Sequence, residues 1–296
     1  MQDNLFTENL KQSTGMRILL FLIILLISSL IGVAFTTVFM FADDTGMKIA
    51  QGLSSVMMFV VPPIVYYCIT RKEHQMQALG FRKVAPPWWL LLIGVAIMFV
   101  SLPVTNQLAS WNDAMSLGPT FAKLEEYLKT LEETARAVTE KMVNVDTFGA
   151  LLLNLLIIAL IPAIGEEMTF RGVLQQSLTR KLNPHIAILF SAAIFSFIHF
   201  QFYGFLPRMF LGILLGYMFY ITNSLWTSIL MYFINNGTVV LLYYLNNKGF
   251  SVDVEHFGET DNVWIIATSA VVTLALIILC WRKVKRPCSI PSPPCP

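Results

Sequence analysis

Apolar residues along the chain form long, nearly unbroken blocks separated by short polar stretches. About 20 mostly apolar residues carry an α-helix across the hydrocarbon core of a bilayer. Eight blocks reach or approach that length: residues 16–41, 49–70, 87–108, 148–178, 186–203, 206–222, 226–245 and 263–281. The pattern predicts an all-α, polytopic membrane protein of about eight transmembrane helices. The first block follows a polar lead and runs to about 25 residues, longer than the apolar core of a secretory signal. No small-residue cleavage site follows it, so it is counted as a span.

Segment 112–146 follows a different rule. Phe121, Leu124, Leu128, Leu131, Ala135, Val138 and Met142 recur at steps of three and four, with charges on the opposite side. That spacing predicts an amphipathic helix, and Pro119 and Thr120 mark its start. It reads as a surface helix lying on the outer leaflet or capping the bundle, with a partner-binding coiled coil as the other use of such a period. The end of the chain, with five prolines between Pro287 and Pro296, predicts a disordered tail. The organisation is therefore residues 1–147 (spans plus insertion), 148–246 (a polar-bearing core) and 247–296 (a last span and the tail).

Composition agrees. Of 296 residues, 56% are hydrophobic and 13% charged, against roughly 25% charged in a soluble domain. This excludes a disordered chain, a soluble coiled coil and a secreted disulfide scaffold. The net charge of +2 gives no basic face dense enough for nucleic acid. Cys68, Cys280, Cys288 and Cys295 have neither metal-site nor disulfide-framework spacing. Charge also orients the chain. With eight spans, Lys11, Arg17, Arg71, Lys72, Arg82, Lys83, Arg180, Lys181, Arg282, Lys283, Lys285 and Arg286 all fall on one side. That side is the cytoplasm by the positive-inside rule, which predicts both termini inside and a multi-pass protein of the cell membrane.

Ionisable groups at membrane depth are costly and point to function. The fourth block carries Glu166 and Glu167, then Arg171. On a helix Glu167 and Arg171 share a face, while Glu166 points about 100° away, leaving one paired and one free carboxylate. The fifth block carries His199 in Ile194-Phe195-Ser196-Phe197-Ile198-His199-Phe200, and the seventh carries Asn235-Asn236. Counting rise per residue from the inner ends, Glu166, His199 and Asn236 lie about 15–20 Å deep in three separate helices. A glutamate takes a proton from water, a histidine orients that water or binds a metal, and amide or hydroxyl donors stabilise an oxyanion. The set is that of a hydrolase, although a proton-coupled transporter uses the same residue types.

Together these motifs resemble the CPBP family, the CAAX-protease and bacteriocin-processing (Abi) intramembrane endopeptidases. Glu166-Glu167-Met168-Thr169-Phe170-Arg171 matches its E-E-x-x-x-R motif and Phe195-Ser196-Phe197-Ile198-His199 its F-x-x-x-H motif. Tyr232-Phe233-Ile234-Asn235-Asn236 matches the third, H-x-x-x-N, except that Tyr232 replaces the usual histidine. The resemblance implies a four-helix catalytic core within residues 148–246. It implies that Glu166 and His199 activate water, with Glu167 and Arg171 in support. The third motif reads in two ways. Glu166, His199 and Asn236 hold a divalent metal such as zinc, or Tyr232 and Asn236 form an oxyanion hole; a phenol suits the second better. The implied activity is cleavage of a membrane-associated protein or peptide at the bilayer. A catalytically silent member acting in immunity or binding is the alternative that Tyr232 raises, and a proton-coupled transporter is the other.

Overall fold

The structure, a computed structural model, describes residues 14–38, 44–70, 75–82, 86–254 and 256–284. Lys11, Arg71, Lys72, Lys83, Lys285, Arg286 and the proline-rich tail with Cys288 and Cys295 lie outside the described residues. All regular structure among the described residues is helical. In chain order it comprises α1 (Thr14–Val38), α2 (Thr45–Thr70), α3 (Gln75–Leu79), α4 (Trp88–Val100), α5 (Leu102–Asp113) and α6 (Ala122–Val143). There follow α7 (Phe148–Leu178), α8 (Pro184–Phe197), α9 (Phe205–Thr222), α10 (Leu225–Asn247) and α11 (Val263–Lys283).

Six of these helices are long and apolar enough to cross a bilayer: α1, α2, α7, α9, α10 and α11. The third predicted span is a pair, α4 and α5, bent by 42°, with Pro103 in the first turn after the bend. Proline lacks the N–H that would continue the hydrogen-bond ladder. Six helices, or seven with the bent pair, thus stand where the sequence predicts about eight. The shortfall is at the fifth block: α8 has 14 residues, about 20 Å, and ends at Phe197 rather than continuing to Tyr203.

The outer helices expose apolar side chains on their outward faces, among them Leu22, Leu26 and Leu30 of α1 and Val271 and Leu274 of α11. This is the surface that lipid covers. The bundle centre is α7, buried at every position from Gly165 to Gln175. Close approach depends on small residues, as in membrane bundles generally. A β-carbon at position 165 would come within 2.9 Å of Phe59 and Val60 on α2, and one at position 212 of α9 within 2.9 Å of Ala192 on α8.

The backbone of α7 widens into π-helix at Leu155–Leu160 and again at Met168–Gln175. Such segments shift the hydrogen-bond ladder by a residue and concentrate at functional sites. Neighbours bond the altered backbone: the Tyr67 hydroxyl donates to the Gly172 carbonyl at 3.0 Å, and the Gln176 amide donates to the same oxygen at 2.9 Å.

The insertion helix forms as its spacing predicts, opening with a single 3-10 turn at Pro119–Phe121. It lies across one end of the bundle. The Asn154 amide of α7 donates to the Met142 carbonyl at 2.8 Å, and the Asn247 amide of α10 reaches Asn144 and the Val145 carbonyl. Val143 is buried with Leu151 and Val240. Lys129 stands over the Tyr203 ring at 5.7 Å, tying α6 to the 3-10 turn Phe202–Gly204 between α8 and α9.

Candidate active site

Glu166 and Glu167 are adjacent on α7 and face opposite surroundings. Glu167 is fully buried and bonds Arg171 Nη1 at 2.5 Å, one turn on. Arg171 Nη2 donates to the Gly212 carbonyl at 2.8 Å, and the guanidinium lies 5.0 Å from the Phe195 ring centre. The ion pair fastens α7 to α8 and α9.

The Glu166 carboxylate turns towards α10 and the end of α8. Its Oε2 accepts the Tyr232 hydroxyl at 2.8 Å and lies 4.0 Å from His199 Nε2. That second distance is too long for a hydrogen bond and suits a pair of groups flanking a third atom. The imidazole is oriented from its other side, because Nδ1 lies 2.8 Å from the Phe195 carbonyl. A carbonyl only accepts, so Nδ1 carries a proton, and in the neutral ring Nε2 is then the free acceptor on the side that faces Glu166.

Phe195 explains the aromatic half of its motif. Its ring meets Phe170 at 5.1 Å, His199 at 5.2 Å and Tyr232 at 5.8 Å, all edge-on. It separates the Glu167–Arg171 pair from the Glu166 site and packs against both. Asn236 lies one turn beyond Tyr232 on α10, with its amide beside the Tyr232 hydroxyl. The Asn236 carbonyl oxygen accepts from Asn235 at 3.1 Å, which leaves its N–H donors for other partners.

The structure therefore brings Glu166, His199, Tyr232 and Asn236 to one place and sets Glu167 and Arg171 behind them. The depth count held α7 continuous to Leu178, and the helix does run that far. It also put His199 within a helix, whereas His199 follows the last turn of α8. Phe200 then adopts a left-handed backbone, φ 52°, an uncommon conformation for a residue with a side chain. The strained turn reverses the chain immediately after the imidazole.

Several neighbours escape the sequence reading. Asn112 at the end of α5 is buried; its amide donates to the Phe202 carbonyl at 2.9 Å and its carbonyl accepts from the Leu206 N–H at 2.7 Å. The Ser196 hydroxyl donates to the Phe205 carbonyl at 2.7 Å. Together they satisfy the irregular backbone after His199, as non-helical chain inside a bundle requires. Arg208 in α9 is the other omission. Its guanidinium bonds the side chain and the carbonyl of Gln201, two residues after His199. A lone arginine in an apolar block is the signal that pointed to Glu166, and it applied equally at Arg208.

A catalytic zinc ion takes three protein ligands from His, Cys and carboxylate. Glu166 and His199 supply two, and among the described residues no three such side chains gather in a metal-binding group. The remaining positions hold a phenol and an amide, and the phenol proton is directed at Glu166 itself. The set Glu166, His199 and Asn236 does not fit a conventional zinc centre.

Residues 148–238 match the family model described as type II CAAX prenyl endopeptidase Rce1-like. No curated protein and no solved structure matches the chain. The matched segment runs from the start of α7 into α10 and contains all six motif residues that form and support the site. It agrees with the CPBP resemblance of the motifs. At the level of the family it supports a CAAX-type protease, an endopeptidase within an integral, multi-pass membrane protein.

Proposed function

We propose that this protein hydrolyses peptide bonds of a membrane-associated protein or peptide, with Glu166 as the general base. The observation that carries this reading is the 4.0 Å gap between Glu166 Oε2 and His199 Nε2, each oriented from its far side. One water in that gap donates one proton to Glu166 and the other to His199 Nε2. As its oxygen attacks the scissile carbonyl, Glu166 takes the first proton and later passes it to the leaving amine. Water is consumed and two peptide ends result.

Tyr232 acts in two stages. At rest its hydroxyl donates to Glu166 and aims the carboxylate. Once Glu166 is protonated, that acceptor loses its charge, and the hydroxyl turns with the Asn236 amide towards the new oxyanion. No metal is required. The same reading assigns the protein to the cell membrane, with both termini cytoplasmic and α6 at the outer face, on the charge asymmetry of the sequence. Cysteines introduced at Arg82 and Glu125, in a background lacking the native thiols, should label from opposite sides. Labelling of both from one side overturns that orientation.

The decisive experiment compares the membrane proteome of wild type with that of Glu166→Gln. A substrate that accumulates uncut only in the variant supports the reading; identical proteomes, with the variant folded, reject it. The Tyr232–Glu166 bond also favours a second reading, a silent homologue whose base is permanently capped. In that case Tyr232→His, which restores the family's usual residue, creates activity that wild type lacks.

A further inference from the structure

Two asparagines stand side by side on α10, and the third motif accounts for only one of them. Asn236 holds the motif position, one turn beyond Tyr232 and on the same helical face. Asn235 occupies a position that the motif leaves open. Both are half-buried, and the face that carries Asn236 continues to the fully buried Val240. Polar amides at membrane depth commonly bond from one helix to another. Among the described residues Asn235 does not: its hydrogen bond runs to its own neighbour, from Nδ2 to Asn236 Oδ1 at 3.1 Å.

Adjacent residues of a helix point about 100° apart and do not face each other. A bond between the tips of two such side chains therefore fixes both. It also sets which end of the Asn236 amide goes where. A carboxamide carries an oxygen that only accepts and an NH2 group that only donates, at opposite corners of a flat tip. With the oxygen drawn to Asn235, the NH2 end is left for the side where the Tyr232 hydroxyl stands.

That orientation decides what the amide can do in the site. Donors aimed at a carbonyl oxygen stabilise the negative charge that grows there as water attacks. The same amide turned over would present its own oxygen and repel that charge. The two ends of the tip are nearly alike in shape, so packing does not choose between them, whereas a hydrogen bond does.

We propose that Asn235 is a positioning residue for the oxyanion hole: its bond to the Asn236 oxygen keeps the Asn236 N–H donors turned, with the Tyr232 hydroxyl, to the reacting carbonyl. The proposal rests on the hydrolytic reading above. It gives a residue outside the motif control over the direction of a dipole within it.

The test uses full-length protein in proteoliposomes and a synthetic peptide spanning the cleavage site of the substrate that accumulates in Glu166→Gln. Asn236→Ala should lower kcat about 10²-fold, the loss of one oxyanion donor, with KM little changed. In Asn235→Asp the carboxylate only accepts, so it draws the Asn236 N–H groups to itself and turns the carbonyl to the site. Its kcat should fall as far as that of Asn236→Ala. Asn235→Leu keeps the bulk and frees the amide; only the fraction turned inward is then competent, so kcat should fall by less, about threefold. Asn235→Gln, which keeps a donor, should recover part of that loss. On an Asn236→Ala background none of these changes should lower the rate further, because the effect runs through one amide. Asn235→Leu, apolar at membrane depth, decides the matter if the aspartate variant does not fold. Wild-type kcat in both Asn235→Asp and Asn235→Leu overturns the proposal, as does a wild-type rate in Asn236→Ala. A loss confined to KM, or one that persists undiminished on the folded Asn236→Ala background, overturns it too. Cleavage that survives in Glu166→Gln, or a proteome in which nothing accumulates there, rejects the hydrolytic reading and the inference with it. An inactive Glu166→Gln beside wild-type rates in the Asn235 variants rejects the inference alone.

Discussion

Two carboxylates one residue apart on α7 have entirely different neighbours. Glu167 is closed off: side-chain exposure is 0%, its arginine is 1% exposed, and they meet at 2.5 Å. Glu166 is held by an uncharged phenol on one side and faces an imidazole across a gap on the other, with 8% of its side chain and 24% of that of His199 exposed. The first arrangement spends the carboxylate on an ion pair closed to solvent. The second leaves lone pairs converging on a space. A helical rotation of about 100° separates them: one carboxylate meets Arg171, which reaches α8 and α9, and the other meets Tyr232 of α10. Adjacent glutamates are thus a means of putting a fastening and a base on one rigid helix.

The comparison breaks if the two glutamates can exchange roles. Glu166→Gln should lower cleavage by about 10²–10⁴ while the protein inserts and melts as wild type does, read by peptide cleavage beside a thermal transition in detergent. Arg171→Ala should do the reverse. Leaving Glu167 buried and unpaired costs about 3–5 kcal/mol, visible as loss of folded protein, and Arg171→Lys should recover only part because one ammonium does not replace two guanidinium bonds. Tyr232→Phe sharpens the Glu166 side by removing one hydroxyl and keeping the ring. The rate should fall about 10²–10³, and an unchanged rate would reduce Tyr232 to packing against Phe195.

The smallest effect lies away from both. Glu125 at the start of α6 accepts from Lys129, the Leu117 N–H and Ser116, which together hold its carboxyl below the usual range. A depressed carboxylate stabilises the fold above its ordinary value and loses that contribution as pH falls through the depressed one. Hydrogen exchange over residues 116–125 should therefore quicken below about pH 4, and Glu125→Gln should remove that dependence without touching cleavage.

The spans and the insertion are legible in the sequence because partition into lipid and one-sided packing are written in side-chain polarity. α7 starts and stops where its apolar block does, and α6 begins just after Pro119. The end of α8 was hidden. Ile198, Phe200, Phe202 and Tyr203 keep the segment apolar while its backbone leaves the helix, and polarity carries no record of φ at Phe200. The π-helical stretches of α7 are hidden for the same reason: they are backbone register, not composition. The depth count drew Glu166, His199 and Asn236 together, but only the fold assigns the Tyr232 proton to Glu166. Asn112 was invisible because its role is to bond the backbone of a loop some 90 residues further on.

Hydrolysis within a membrane consumes a molecule that the membrane excludes. A helix of about 20 Å falls short of a hydrocarbon layer of about 30 Å, so the apolar residues from Ile198 to Tyr203 carry the chain onward with largely irregular backbone. Phe197 and Phe200, 66% and 73% exposed with ring centres 6.0 Å apart, mark that edge. Backbone that leaves the helix at that depth needs partners that lipid does not supply, and Asn112 and Ser196 provide them beside His199. A break in a span thus carries polar backbone, and the groups that bond it, to the level at which the reaction needs a polar reactant.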